Sequence, residues 1–227
     1  MINKIRDNIS KIIIAVSLVA IGVIGRLTLA ELLPGSPSIY LTFNGISQPM
    51  FMMDMFFLIA IIAILSGLLL GSYYAFFVPV SVMLITDIII GNNYIFLFTW
   101  SGFAIIGLVA LILKIKNKFT IQKTPLIFGA GIGSVILYDL WTNFGCWLGW
   151  YPKSLEGLAL CYTAGLPFML WHILSTTIAM AVIVLPILYL KENKTIKLDY
   201  SIKPKEKPIA LMLLAIMMLF SVAFVFI

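Results

Sequence analysis

The sequence has few charged residues and few of the side chains that build metal sites. Charged residues make up 11% of its 227 residues, whereas soluble domains have about a quarter. The single histidine and the two cysteines occur in no CxxC or HxxH spacing, which excludes a recognisable zinc site or a dense disulfide framework. Because 62% of the chain is hydrophobic, the composition predicts an integral membrane protein. It excludes a nucleic-acid reader despite a net charge of +6.

Motifs of known catalytic chemistry are also missing. The sequence contains no HExxH, GxSxG, Walker A or paired-glutamate motif. We therefore predict a protein that is not an enzyme and that needs no metal and no cofactor. Without a P-loop, active transport would require a partner ATPase or an ion gradient.

Long apolar segments predict the fold class. Each is near the roughly 20 residues that span a hydrocarbon core, and each is continuous rather than alternating, which favours helices over a β-barrel. The first is too long for a signal peptide. The sequence predicts an all-α, polytopic transmembrane helix bundle with seven helices, at 12–33, 55–72, 73–91, 94–113, 125–148, 166–190 and 209–227.

Lysine and arginine clusters predict the orientation, because cytoplasmic loops hold most of these residues. The clusters lie at 4–11, 114–123 and 191–207. Seven helices place all three clusters on one side if the N-terminus is cytoplasmic, and the C-terminus is then extracytoplasmic. We predict a multi-pass cell-membrane protein with a six-helix domain at 1–190, a basic cytoplasmic linker at 191–208 and an additional transmembrane helix at 209–227.

Ionisable residues within the spans are costly and are therefore candidates for function. Five of them fall in the outward half of this topology: Arg26, Asp54, Asp87, Asp139 and His172. All five tryptophans map to the same half. Aromatic walls with a few polar groups are typical of small-molecule sites, which predicts an outward-opening cavity. The alternatives are local pairing of each charged group and an outer tryptophan belt.

Small residues and the two cysteines leave further alternatives open. Ala63, Gly67 and Gly71 repeat at a spacing that lets helices approach closely, either within the chain or against a partner. Cys146 and Cys161 flank the stretch from Gly149 to Leu160 of the predicted outer loop at 149–165, where they form either a disulfide or two buried thiols. The other predicted outer loop, 34–54, is too apolar to be fully solvated, so we expect it to fold back onto the membrane.

Two sequence blocks resemble a known class of proteins. They are PVSVMLITDIIIG at 79–91 and a block at 142–168 that contains TNFGCWL, YP, EGL, CY and GLPF. Together they resemble an uncharacterised prokaryotic family of integral membrane proteins, which is similar to the S components of energy-coupling factor (ECF) transporters. The resemblance covers about residues 20 to 190 and leaves the C-terminal tail uncovered.

This resemblance implies a six-helix, S-component-like core that captures a vitamin-like micronutrient from outside. The first outer loop, with Asn44 and Asp54, would gate the site, and a T-type transmembrane subunit with a pair of ATPases would drive release inward. The expected partners are these subunits, the lipid bilayer and a small-molecule substrate of cationic or amphipathic character. The predicted substrate-binding residues are Asp87, Asn92, Asn143, Tyr151, Glu156, Tyr162 and His172.

Three other functions are consistent with the sequence. The chain could be a structural or assembly subunit of a larger membrane complex, with Ala63, Gly67 and Gly71 as the docking surface. It could be a solitary carrier driven by an ion gradient. It could also be an intramembrane enzyme acting on lipid-borne substrates through Asp139 and His172.

Overall fold

The computed structural model describes residues 2–33, 39–116, 119–193 and 207–226. These residues form a bundle of helices and one two-stranded hairpin. The elements are α1 (Ile2–Leu29), β1 (Ile39–Phe43), β2 (Ile46–Phe51), α2 (Phe56–Leu65), α3 (Tyr74–Ile90), α4 (Phe96–Ile115), α5 (Thr124–Trp150), α6 (Leu155–Ala179), α7 (Leu185–Glu192) and α8 (Lys207–Val225). A π-helical stretch at Ser66–Leu70 extends α2, another at Met180–Val184 joins α6 to α7, and 3₁₀ turns lie at Ala30–Leu32 and Ile121–Lys123.

The predicted helical bundle is confirmed, since each predicted apolar segment overlaps one continuous helix. By length and composition, five of the described helices can cross a membrane: Asp7–Leu29, Phe96–Ile115, Ile121–Trp150, Leu155–Glu192 and Pro208–Val225. Phe56–Leu70 and Tyr74–Ile90 are shorter apolar helices. The described part of the chain is therefore compatible with a multi-pass membrane protein.

The predicted starts of the first and sixth helices are wrong, since α1 begins at Ile2 instead of residue 12. The sixth helix begins at Leu155 instead of residue 166, so the predicted outer loop at 149–165 shrinks to the residues 151–154. Ser154 caps the helix by accepting a hydrogen bond from the Gly157 amide at 3.1 Å, as a good N-cap residue does. Pro167 lies inside the helix. His172 is consequently near the middle of a long helix and not close to its start.

The predicted outer loop at 34–54 contains regular structure. β1 and β2 pair antiparallel with an irregularity between Ile39 and Tyr40. Asn44 and Gly45 form the turn with φ of 49° and 80°, the left-handed conformation that this residue pair adopts readily. The backbone amide of Met52 donates to the carbonyl oxygen of Pro167 at 3.3 Å, which ties the strand end to α6. The fold is thus helical with a hairpin, and residues 34–38 lie outside the described residues.

The core of the bundle lies around α2 and α4. Ala63 and Gly67 on α2 are buried, and a Cβ at Gly67 would overlap the backbone oxygen of Gly107 on α4. The small residues at these two positions therefore allow close helix packing within this chain. Gly71 has a different role, because its φ of 68° ends the helix.

The C-terminal helix packs on the rest of the bundle. Ala210 and Ser221 of α8 are buried, and the Ser221 hydroxyl lies 3.5 Å from the Ser101 hydroxyl on α4. Ala210 joins a cluster with Ala75 of α3 and Leu108 of α4. Most of the predicted linker at 191–208 lies outside the described residues.

Candidate functional site

A cavity of about 480 Å³ lies at one end of the bundle, next to the segment that follows the hairpin. We call it the main cavity. Its wall is formed by α1, the segment leading into α2, α2 itself, α3, α4 and α5, together with the connections after α1 and α3. Among its lining residues are Arg26, Asp54, Phe56, Asn92, Phe103 and Tyr138. The cavity therefore combines two opposite charges, an amide and three aromatic rings.

An ion pair holds one side of the main cavity. The guanidinium of Arg26 on α1 donates to Asp87 Oδ1 on α3 at 2.5 Å, and it also donates to the Thr86 hydroxyl. Asp87 Oδ2 accepts from Asn92 Nδ2 at 2.5 Å and from the Trp100 indole at 2.6 Å. The Asp87 carboxylate is buried and fully hydrogen-bonded, so it balances Arg26 and positions Asn92 and Trp100.

A second buried network joins α6 to α5 and to the segment before α2. His172 Nδ1 lies 2.7 Å from Asp139 Oδ1, and His172 Nε2 lies 3.0 Å from Asp54 Oδ2. We call Asp54, His172 and Asp139 the triad. The Phe56 ring stacks on the imidazole with centroids 3.9 Å apart.

Backbone contacts fix the Asp54 end of the triad. Asp54 Oδ1 accepts from the Phe56 amide at 3.0 Å, and the Trp171 indole donates to the Asp54 carbonyl oxygen at 3.0 Å. Through these bonds Asp54 is tied to both α2 and α6. Its side chain is nevertheless 41% exposed, so it is the accessible carboxylate of the triad.

A smaller cavity of about 220 Å³ lies between α5 and α6. We call it the side cavity. Its polar lining residues include Asp139, Asn143, Tyr162 and Thr163. Asn143 Nδ2 donates to the Asp139 carbonyl oxygen at 2.8 Å, and the Tyr162 hydroxyl donates to the Leu140 carbonyl oxygen at 2.8 Å. The triad thus lies between the two cavities, with Asp54 on one and Asp139 on the other.

The structure divides the predicted substrate-binding residues among several places. Asn92 lines the main cavity and Asp87 supports it from behind. Asn143 and Tyr162 line the side cavity, and His172 lies between the two. These positions do not form a single pocket wall.

Three other predicted site residues lie elsewhere. Tyr151 and Glu156 are at the junction of α5 and α6 and are absent from the lining of both cavities. Burial, together with Cys161 and Cys146, raises the pKa of the Tyr151 phenol, which keeps it neutral. Asn44, predicted as part of a gate, is exposed at the hairpin turn, while Asp54, predicted with it, belongs to the triad.

The aromatic wall of the main cavity is not among the site residues predicted from the sequence. It consists of Phe56, Phe103 and Tyr138, of which Phe56 comes two residues after Asp54 and Tyr138 immediately precedes Asp139. The Phe56 ring lies 5.2 Å from that of Phe103 and 4.7 Å from that of Tyr138 between centroids. Adjacency to an intramembrane carboxylate was the signal that could have identified two of the three rings.

The cysteines and the acidic residues are the side chains that a metal site or a disulfide would use. That part of the chain contains no group of three or more histidine, cysteine, aspartate or glutamate residues that could hold a metal ion. Cys146 and Cys161 are both free. Cys161 is buried and donates to the Asn143 carbonyl oxygen at 3.3 Å, so it is a packed thiol.

The apolar helices and the buried polar networks are those of a helical membrane protein. The chain belongs to DUF6580, a family of unknown function, whose family model matches residues 6–198. The match includes both networks and ends before α8. Neither a curated protein nor a solved structure matches the chain.

Proposed function

We propose that the protein is the substrate-capturing subunit of a micronutrient uptake transporter, and that a separate ATPase module drives release. The observation that carries this proposal is the main cavity, which combines charged groups with an aromatic wall at one end of a helical bundle. Such a mixture of apolar surface and a few placed polar groups is the usual composition of a small-molecule site. The resemblance of 79–91 and 142–168 to S components supports the same function.

The predicted orientation supports capture from outside. With a cytoplasmic N-terminus, the first and third helices both end at the outer surface. Leu33, Met53 and Asn92, which line the main cavity, lie in the connections at that end. The cavity then opens outward. The hairpin is placed beside it, because β2 leads through Met52 directly to Asp54.

The charges of the main cavity favour a cationic or amphipathic substrate. Arg26 is balanced by Asp87 at 2.5 Å, whereas the Asp54 carboxylate is part of a triad that contains a second carboxylate. The rings of Phe56, Phe103 and Tyr138 line the same cavity, and aromatic rings attract cations. An ammonium group that contacts Asp54, attached to a flat or apolar body that packs on these rings, fits this arrangement.

Co-purification from native membranes tests the proposal. A tagged full-length chain should recover a T-type transmembrane subunit and a pair of ATPases in mild detergent. A protein that purifies alone and exchanges solute in liposomes would instead be a gradient-driven carrier.

A matched pair of variants, Phe103→Ala and Phe226→Ala, distinguishes an effect at the main cavity from an effect at the protein surface. The first should reduce uptake, because Phe103 lines the main cavity; the second should not, because Phe226 is exposed.

The assembly-subunit alternative has a specific place on the structure. The predicted docking residues Ala63 and Gly67 are covered by the chain itself. Gly129 and Gly133 on α5, in contrast, face open space, since a Cβ added at either position would meet no atom within 4 Å. If docking is the main function, Gly129→Leu and Gly133→Leu should abolish co-purification of partners, while changes at Asp54 should have no effect.

A further inference from the structure

Each nitrogen of the His172 ring contacts a different carboxylate. Nδ1 lies 2.7 Å from Asp139 and Nε2 lies 3.0 Å from Asp54. A neutral imidazole carries only one N–H, so it can donate only one of these hydrogen bonds. Two bonds at these distances to ionised carboxylates require a proton on both nitrogens. The observed geometry therefore implies that the triad binds one more proton than it would with a neutral histidine and two ionised carboxylates.

The imidazole is the natural carrier of this proton. The pKa of an unperturbed histidine is about 2.6 units higher than that of an unperturbed aspartate. Hydrogen bonds between an imidazolium and carboxylates are also charge-assisted, and hence shorter and stronger than neutral ones. With His172 protonated, the triad has one net negative charge. Without the proton it has two, in a site where Asp139 and His172 are both buried, and such uncompensated burial is costly.

The other titratable groups around the His172 ring do not carry this proton in its place. Tyr138 of α5 has its ring centroid 6.0 Å from that of His172, and a phenol stays neutral at physiological pH. Arg26 of α1 donates to Thr86 and Asp87, and Asp87 of α3 is occupied by its three donors. Cys161 on α6 itself donates to Asn143. The exchangeable proton therefore belongs to the triad.

We propose that Asp54, His172 and Asp139 form a proton-binding site, and that a cationic group of the ligand displaces its proton when it enters the main cavity. This inference rests on the proposed function, because it concerns the same cavity. The ligand's ammonium group forms a hydrogen bond to Asp54, so the Nε2 proton loses its acceptor and leaves to water. One positive charge enters as one leaves, and the site keeps its net charge.

The proton itself is tested without a ligand. His172 is the only histidine, so protein labelled with ¹⁵N-histidine gives a single pair of ring nitrogen signals. At neutral pH we expect both nitrogens to be protonated. The Asp54→Asn variant should show one protonated nitrogen, and Asp7→Asn, which removes an exposed carboxylate on α1, should match the wild type. A wild-type imidazole with one N–H would overturn the proposal.

The displacement step is tested with benzylammonium chloride as the probe, against sodium chloride at equal ionic strength. The probe should lower the pH midpoint of His172 protonation, by about half a pH unit when its concentration is about twice its dissociation constant. Asp54→Glu should keep the shift and Asp54→Asn should lose it. An unchanged midpoint at the solubility limit of the probe would overturn the displacement step. Neither result depends on co-purification, so failure here is distinguishable from failure of the transport proposal.

Discussion

Arg26 and Asp87 lie 61 residues apart in the chain, and their side chains meet with Arg26 NH1 2.5 Å from Asp87 Oδ1. The pair fastens α1 to α3 beside the main cavity. Asp87 is the more buried partner and also anchors Asn92 and Trp100. Each of the two charges therefore offsets the free-energy cost of burying the other.

Removal of one member of this pair should strongly destabilise the protein. Arg26→Met leaves Asp87 buried with only two neutral donors, and breaking such a pair costs about 3 to 5 kcal/mol. The combined Arg26→Met and Asp87→Leu variant should recover much of this loss. The free energy of unfolding in detergent, followed by circular dichroism through a double-mutant cycle, measures the coupling. Additive effects in the cycle would show that the pair does not stabilise the bundle.

A methyl group at Gly67 should also destabilise the bundle. Its Cβ would overlap the backbone oxygen of Gly107, which cannot move without shifting α4, so we expect a loss of about 1 to 3 kcal/mol. Gly129→Ala is the matched control, because a Cβ there meets open space. That change should stabilise by up to about 1 kcal/mol through helix propensity. Thermal unfolding of the two variants in the same detergent measures the difference. Equal midpoints would show that α2 and α4 do not pack closely at Gly67.

A methyl group at Gly45 should loosen the hairpin and leave the bundle intact. The residue has a φ of 80°, a conformation that costs an L-residue about 1 to 2 kcal/mol. We expect faster limited proteolysis between residues 39 and 51 and no change in the thermal unfolding of the helices. Gln48→Ala, an exposed change on β2, is the control. Equal cleavage rates for the two variants would argue against an ordered turn.

Reporter fusions should establish the orientation. A reporter enzyme that folds only outside the cytoplasm should be active when fused after Asn93 or Lys153 and inactive after Lys116. These positions follow from the lysine and arginine distribution and from the helix ends at Ile90, Trp150 and Ile115. Activity after Lys116 would invert the topology and place the main cavity on the inner side.

The helices could be predicted from sequence because each contains a continuous apolar block, whether it is long enough to cross a membrane or shorter. The start of α6 could not be predicted, because Gly157, Gly165 and Pro167 interrupt the apolar pattern. Tertiary packing keeps the segment helical in spite of these residues. The hairpin was not predicted, because the composition of 34–54 indicates only an apolar outer loop, while the turn itself depends on Asn44 and Gly45. In a run of alternating residues, this dipeptide is also the strongest short signal for a hairpin.

The candidate site was predictable in part. The rule that ionisable residues within membrane spans are functional identified Arg26, Asp54, Asp87, Asp139 and His172. Their pairing could not be predicted, because Arg26 and Asp87 are as compatible with lipid headgroups as with one another. The division into two cavities depends on helix packing that a single sequence does not specify. Single residues beside a turn, such as Tyr151 and Glu156, carried too little information to be placed.

The π-helical stretch at Met180–Val184 lies within one continuous helix of 38 residues, from Leu155 to Glu192. At about 1.5 Å per residue this helix is about 57 Å long, almost twice the roughly 30 Å thickness of the hydrocarbon layer. Such a rod cannot fit within the acyl chains at any common tilt. One end must therefore project into water or among the headgroups, and α7, with Lys191 donating to the Phe119 carbonyl oxygen at 3.0 Å, is suited to form that projecting end.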